Sequence, residues 1–74
     1  MSPEKMVMMA NQIATFFATQ PGEDGATGVA THINDFWEPR MRAQLLDHVE
    51  AGGAGLHELV IAATPEIREP AERA

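Results

Sequence analysis

The chain contains no cysteine among its 74 residues. That excludes a disulfide framework, a thiolate metal site and any thiol catalyst, and with them zinc fingers, redox motifs and iron–sulfur ligation. Basic residues are scarce. Five Lys and Arg stand against eleven Asp and Glu, for a formal charge of -6, which repels nucleic acid and anionic membrane surfaces. No stretch approaches the roughly 18 consecutive apolar residues of a membrane span. The opening "MSPEKMVMMANQ" lacks the basic start, apolar run and small-residue cleavage site of a secretory signal. The expectation is a cytoplasmic protein whose partners are proteins, with no nucleic acid and no membrane. The length allows one domain, which at this size buries only about 60% of the surface of its unfolded chain.

What remains is rich in helical periodicity. Ser2, Pro3 and Glu4 form a helix start: a capping hydroxyl, a proline for the first turn and a carboxylate at the positive end of the helix. Met6, Met9, Ala10, Ile13, Phe16 and Phe17 then share one face until "QPGEDG" stops the pattern. Glycines 25 and 28 permit a turn and a second helical start. There Ala26, Val29, Ala30, Ile33, Phe36 and Trp37 share a face, and the helix ends before Pro39. A shift of twenty residues superimposes Ala10, Ile13, Phe16 and Phe17 on Ala30, Ile33, Phe36 and Trp37, as expected of two similar helices paired in a hairpin. Pro39 opens a third helix carrying Met41, Leu45, Leu46 and Val49, closed by "AGGAG". Leu56, Leu59, Val60 and Ala63 make a short fourth stripe before Pro65. The reading is all-α: a small three- or four-helix bundle over residues 1–64. The proline-rich tail 65–74 is expected to fray or to be ordered only by a partner.

No pattern in the chain carries chemistry. His32, His48, His57, Asp35, Asp47, Glu50 and Glu58 are the titratable candidates. Spacings of three place His32 near Asp35 and Asp47 near Glu50, but a bundle metal site needs E-x-x-H units projecting into the core. Asp35 lies opposite its apolar stripe, so no metal site is expected. The "HE" at 57–58 lacks the second histidine of a zincin, and no nucleophile elbow is present. "GEDGATG" and "AGGAG" have neither the preceding strand nor the GK(S/T) ending of a phosphate loop. A helix-turn-helix reading fails because the fourth stripe has no Arg or Lys before Arg68.

The run "FWEPRMR" at 36–42 breaks local rules. Arg40 and Arg42 sit in the first turn of the third helix, at its positive end, while Asp47 and Glu50 lie near its negative end. Each such placement costs about 0.3 to 1 kcal/mol on an exposed helix. Pairing of Arg42 with Glu38, four residues earlier, offsets that cost; contact with a partner is the other explanation. Met8 and Ile61 project away from the apolar stripes. Trp, Arg and Met concentrate at interface cores.

The segments "MANQIATFF" at 9–17, "HINDFWEPRMR" at 32–42 and "LLDHVEAGGAGLHELV" at 45–60 together resemble the delta subunit of the soluble, NAD-dependent, molybdenum-containing formate dehydrogenases of bacteria. The resemblance covers roughly residues 5–63. It implies a non-catalytic accessory subunit that binds no cofactor of its own and serves the stability, assembly or cofactor maturation of the large (alpha) subunit. Partner subunits would carry the molybdenum pterin, iron–sulfur clusters and FMN. On this basis the expected partner-binding residues are Phe36, Trp37, Pro39, Arg40, Met41 and Arg42, followed by Asn11 and Gln12, which sit mid-helix off the apolar stripe. The alternative reading is a self-associating helical adaptor, a homodimer burying Met8, Ile61 and Trp37, unrelated to molybdenum enzymes.

Overall fold

The computed structural model describes residues 2–20 and 24–71. They form helices α1 (Pro3–Ala18), α2 (Gly25–Phe36), α3 (Pro39–Glu50) and α4 (Glu58–Ala63), followed by a 3₁₀ turn at Thr64–Glu66. There is no strand among them, and the fold is all-α. Helix starts follow the signals in the sequence. The Ser2 hydroxyl accepts from the Lys5 N–H (3.2 Å) ahead of Pro3. Helix α2 has a cap the glycines had obscured: Asp24 accepts from the N–H groups of Ala26 and Thr27 at 3.1 and 3.3 Å. A side-chain oxygen there satisfies donors that the first turn leaves without partners.

Helix α3 closes in a Schellman motif. The Gly53 N–H returns to the His48 carbonyl (2.9 Å) and the Gly52 N–H to that of Val49 (3.0 Å). Both glycines hold positive φ, 123° and 67°, a region costly for residues with a Cβ. The turn redirects the chain into α4, which packs on α1 and α2.

The core is assembled from small and medium side chains: Met6, Ala10 and Ala14 of α1, Val29, Ala30 and Ile33 of α2, Leu45 and Leu46 of α3, and Val60 and Ala63 of α4. Small residues let α1 and α2 approach closely. A Cβ built on Gly28 would lie 2.5 Å from the Phe17 ring, so glycine is what lets that ring lie against α2.

Two expected core residues are not in it. Phe16 is 57% exposed and Phe36 74% exposed. At about 100° per residue, the buried arc of α1 runs through Met6, Ala10 and Ala14, and Phe16 falls beyond its edge. Phe36 is the last residue of α2, where its ring lies against His32 with centroids 4.7 Å apart. The twenty-residue shift nevertheless aligns environments: each exposed phenylalanine is followed by an aromatic that turns inward, Phe17 or Trp37.

The tail expected to fray from residue 65 instead lies against the bundle as far as the description extends, to residue 71. Ile67 is buried in the same core, and Pro70 is buried as well. The part of that expectation falling on 72–74 lies outside the described residues. Isoleucine supplies the reason: it is the one large apolar side chain of the tail, and the bundle has a place for it. Replacing Ile67 with Ala is expected to lower stability by about 2 kcal/mol, the lower end of the cost for a buried isoleucine. A shifted midpoint of urea unfolding at constant slope would show this; an unchanged midpoint would mean the tail does not pack.

Candidate functional site

The 36–42 corner divides into inward and outward residues. Trp37 is only 5% exposed and belongs to the core, and Met41 packs partly buried against it. A homodimer that buried Trp37 is therefore not available to this conformation. Arg42 also turns inward. Its Nη1 donates to the Trp37 carbonyl (2.9 Å) and its Nε to the Arg68 carbonyl (3.1 Å). This explains an arginine at the wrong end of a helix dipole: its guanidinium reaches past the helix to main-chain oxygens, joining the α2–α3 turn to the tail. Hydrogen bonds from a charged group contribute about 1.5 to 3 kcal/mol, more than the dipole costs. Phe36, Pro39 and Arg40 remain outward and exposed.

Asn11 has a structural task that its mid-helix position only hinted at. Its Nδ2 donates to the Gly55 carbonyl (2.9 Å) while its Oδ1 accepts from the His57 N–H (2.8 Å). Asn34, which sequence reasoning passed over, repeats the arrangement on the tail: Nδ2 donates to the Glu66 carbonyl (3.0 Å) and Oδ1 accepts from the Arg68 N–H (2.8 Å). In both cases one amide bonds the C=O of a residue and the N–H two positions on, the pattern a parallel β-strand offers its neighbour. Of the residues between, Ile67 is buried in the core and Leu56 packs partly buried against it. The signal available in the sequence was a poor helix former kept inside a helix, in the middle of α1 for Asn11 and in the last turn of α2 for Asn34.

The histidines are also accounted for locally. His57 Nδ1 accepts from the Leu59 N–H (3.0 Å) and caps α4. His48 Nε2 donates to the Ala54 carbonyl (2.8 Å), and His32 stacks on Phe36. Among the described residues, no three His, Asp or Glu side chains gather where they could hold a metal ion, and no helix is long and apolar enough to cross a membrane.

The outward surface is where this structure is unusual. A groove of about 470 Å³ runs between α1 and α2, lined by Met9, Ile13, Phe16, Phe17, His32 and Trp37, with Gln12 at its edge. Gln12 also borders a second hollow along α1 that includes Met8, 52% exposed. Phe17 and His32 border a third, which carries Asp24, Asp35 and Phe36. Ile61, 40% exposed, stands apart from all three.

These features define a small all-α protein whose distinguishing surface is an apolar face rather than a gathered set of reactive groups. The family model of the NADH-dependent formate dehydrogenase delta subunit, FdsD, matches residues 5–64. The chain belongs to that family, whose name makes it a subunit of a formate dehydrogenase complex. No curated protein matches it. The match ends where the 3₁₀ turn begins, so the strap holding Ile67 lies beyond the family's matched region.

The two asparagines generate a paired prediction. Asn11→Ala and Asn34→Ala should each destabilise the fold by about 1 to 3 kcal/mol, because each leaves a main-chain donor and acceptor without partners. Asn34→Asp, which keeps the acceptor and removes the donor, should be destabilising too. Hydrogen exchange reads the clamps directly: the Arg68 amide should lose protection in the Asn34 variants and the His57 amide in Asn11→Ala, with equal protection in wild type and variants counting against them.

Proposed function

We propose that the chain is a non-catalytic accessory subunit that docks on the molybdenum-containing large (alpha) subunit of the formate dehydrogenase and favours its stable, assembled or cofactor-loaded state. The observation that carries this is membership of the delta-subunit family over residues 5–64. The surface agrees with it in kind. Apolar side chains exposed in a bundle this small are interface material, and Phe36, Pro39, Arg40 and Gln12 all face outward. Trp37, Met41, Arg42 and Asn11 then serve docking by holding the shape of the surface rather than by reaching the partner.

The mechanism is differential binding. A subunit that binds one state of a larger protein better than another raises the population of that state, whether the distinction lies in folding, assembly or cofactor loading. The molybdenum pterin, iron–sulfur clusters and FMN belong to the partner subunits in this reading. This chain contributes no thiolate, having no cysteine.

Isolation of the tagged chain from its own host at moderate salt tests the reading. The large subunit is expected to co-elute with the wild type, and Arg40→Glu is expected to reduce its recovery about tenfold, about 1.4 kcal/mol of binding. Trp37→Ala is expected to unfold the chain in part, losing about 3 to 5 kcal/mol, so its effect should follow circular dichroism rather than charge. Recovery of the chain without the large subunit would overturn the proposal. A mass that rises with concentration in light scattering would then favour the self-associating alternative.

A further inference from the structure

The three hollows form one continuous face. Gln12 joins the hollow along α1 to the α1–α2 groove, and Phe17 with His32 joins that groove to the hollow beside Phe36. Along α1 the face follows Glu4, Met8, Gln12 and Phe16, residues four apart that share one side of the helix. From Glu4 to Phe16 it extends about 18 Å at 1.5 Å per residue.

Its charge is one-sided. Glu4 stands at the start of α1 and Asp24 and Asp35 at the two ends of α2, while none of Lys5, Arg40, Arg42 and Arg68 lines any part of it. The Asp24 carboxylate is engaged in capping α2, which leaves Glu4 and Asp35, both exposed, as the outward charges. The described residues offer no strand whose edge an extended peptide could join, so recognition by strand addition is not open to them. A groove between two helices, lined by Met9, Ile13 and Phe17 at intervals of four, suits a helix. A second copy of this chain would set like charges against one another and bring another net charge of -6.

We propose that this face, rather than the 36–42 corner alone, receives an amphipathic helix of about three turns from the partner protein, apolar along one side and bearing Lys or Arg beside that side. Phe16 and Phe36 anchor its apolar side, Met8 adapts to it, and Glu4 and Asp35 set its register by pairing with its cations. The inference rests on the reading of the chain as a docking subunit and adds where the docking occurs and what chemistry is recognised.

The test uses the full chain and the purified formate dehydrogenase large subunit of the same host, with binding measured by titration. Phe16→Glu and Phe36→Glu should each weaken binding at least tenfold, and Asp35→Lys severalfold, with the wild-type affinity falling as salt rises. Ile61→Glu places the same charge on an exposed apolar side chain outside the face and should stay within twofold of wild type. Circular dichroism of each variant confirms folding, and because Phe16 makes an edge contact with Phe17 (5.1 Å), the more exposed Phe36 provides the cleaner reading. Photo-crosslinking from benzoylphenylalanine at position 16 should capture a helical segment of the large subunit with Lys or Arg beside its apolar side. Wild-type binding with unaffected Phe16 and Phe36 variants would overturn the face while leaving the docking reading standing. A crosslink to a segment without cations would overturn the stated chemistry, and one to a second copy of this chain would replace the partner. No binding by the wild type would overturn both.

Discussion

Two of the segments that close this fold cannot hold themselves. Helix α4 has six residues, fewer than an isolated helix needs in water, and among the described residues the strap after it has only 3₁₀ turns of its own. Both are held by the side-chain amide of an asparagine on a longer helix, which bonds the main chain on either side of an apolar residue packed in or against the core. The rest depends on these clamps because they do two things together. They satisfy main-chain groups that no secondary structure reaches, and they fix the register at which Ile67 enters the core and Leu56 packs against it. Arg42 adds a third tie, drawing the α2–α3 turn and the strap to one guanidinium.

This economy follows from size. A short chain has a small core, and its core is built largely of alanine, valine, isoleucine and leucine with one tryptophan at the end of α2. The interior cannot accommodate every large apolar side chain that the helices carry. Phe16, Phe36, Met8 and Ile61 are left outside, and three of these four lie along one face. The same limit that forces polar side chains to fasten the fold thus leaves apolar surface for a partner to cover. In an accessory subunit the two consequences are compatible, since burial withheld from the monomer remains available to a complex.

Sequence reasoning reached the elements more readily than the environments of particular side chains. The cap at Ser2, the proline start of α3 at Pro39, the glycine stop after α3 and the outward positions of Met8 and Ile61 all follow from local rules that need no tertiary information. Phe16 and Phe36 were assigned inward because periodicity places a residue on a face but does not say how wide the buried arc is or where a neighbouring helix ends. Asn34, in the last turn of α2, carries a weaker local signal than mid-helix Asn11, and what distinguishes either one is a segment more than thirty residues away. Arg42 was recognised as misplaced against the dipole; its actual partners, two carbonyls, leave no trace in side-chain identity.

The sequence by itself determined that this protein is helical, cysteine-free, acidic and of the delta-subunit family, because composition, capping and hydrophobic period are properties of neighbouring residues. Only the tertiary structure decided that Trp37 closes the core while Phe36 stands beside it in solvent, that the tail packs as far as it is described, and that three hollows join into one face carrying Met8, Phe16 and Phe36. Those outcomes depend on which helix lies opposite which residue. That is settled by close packing among segments distant in the chain, and no local rule records it.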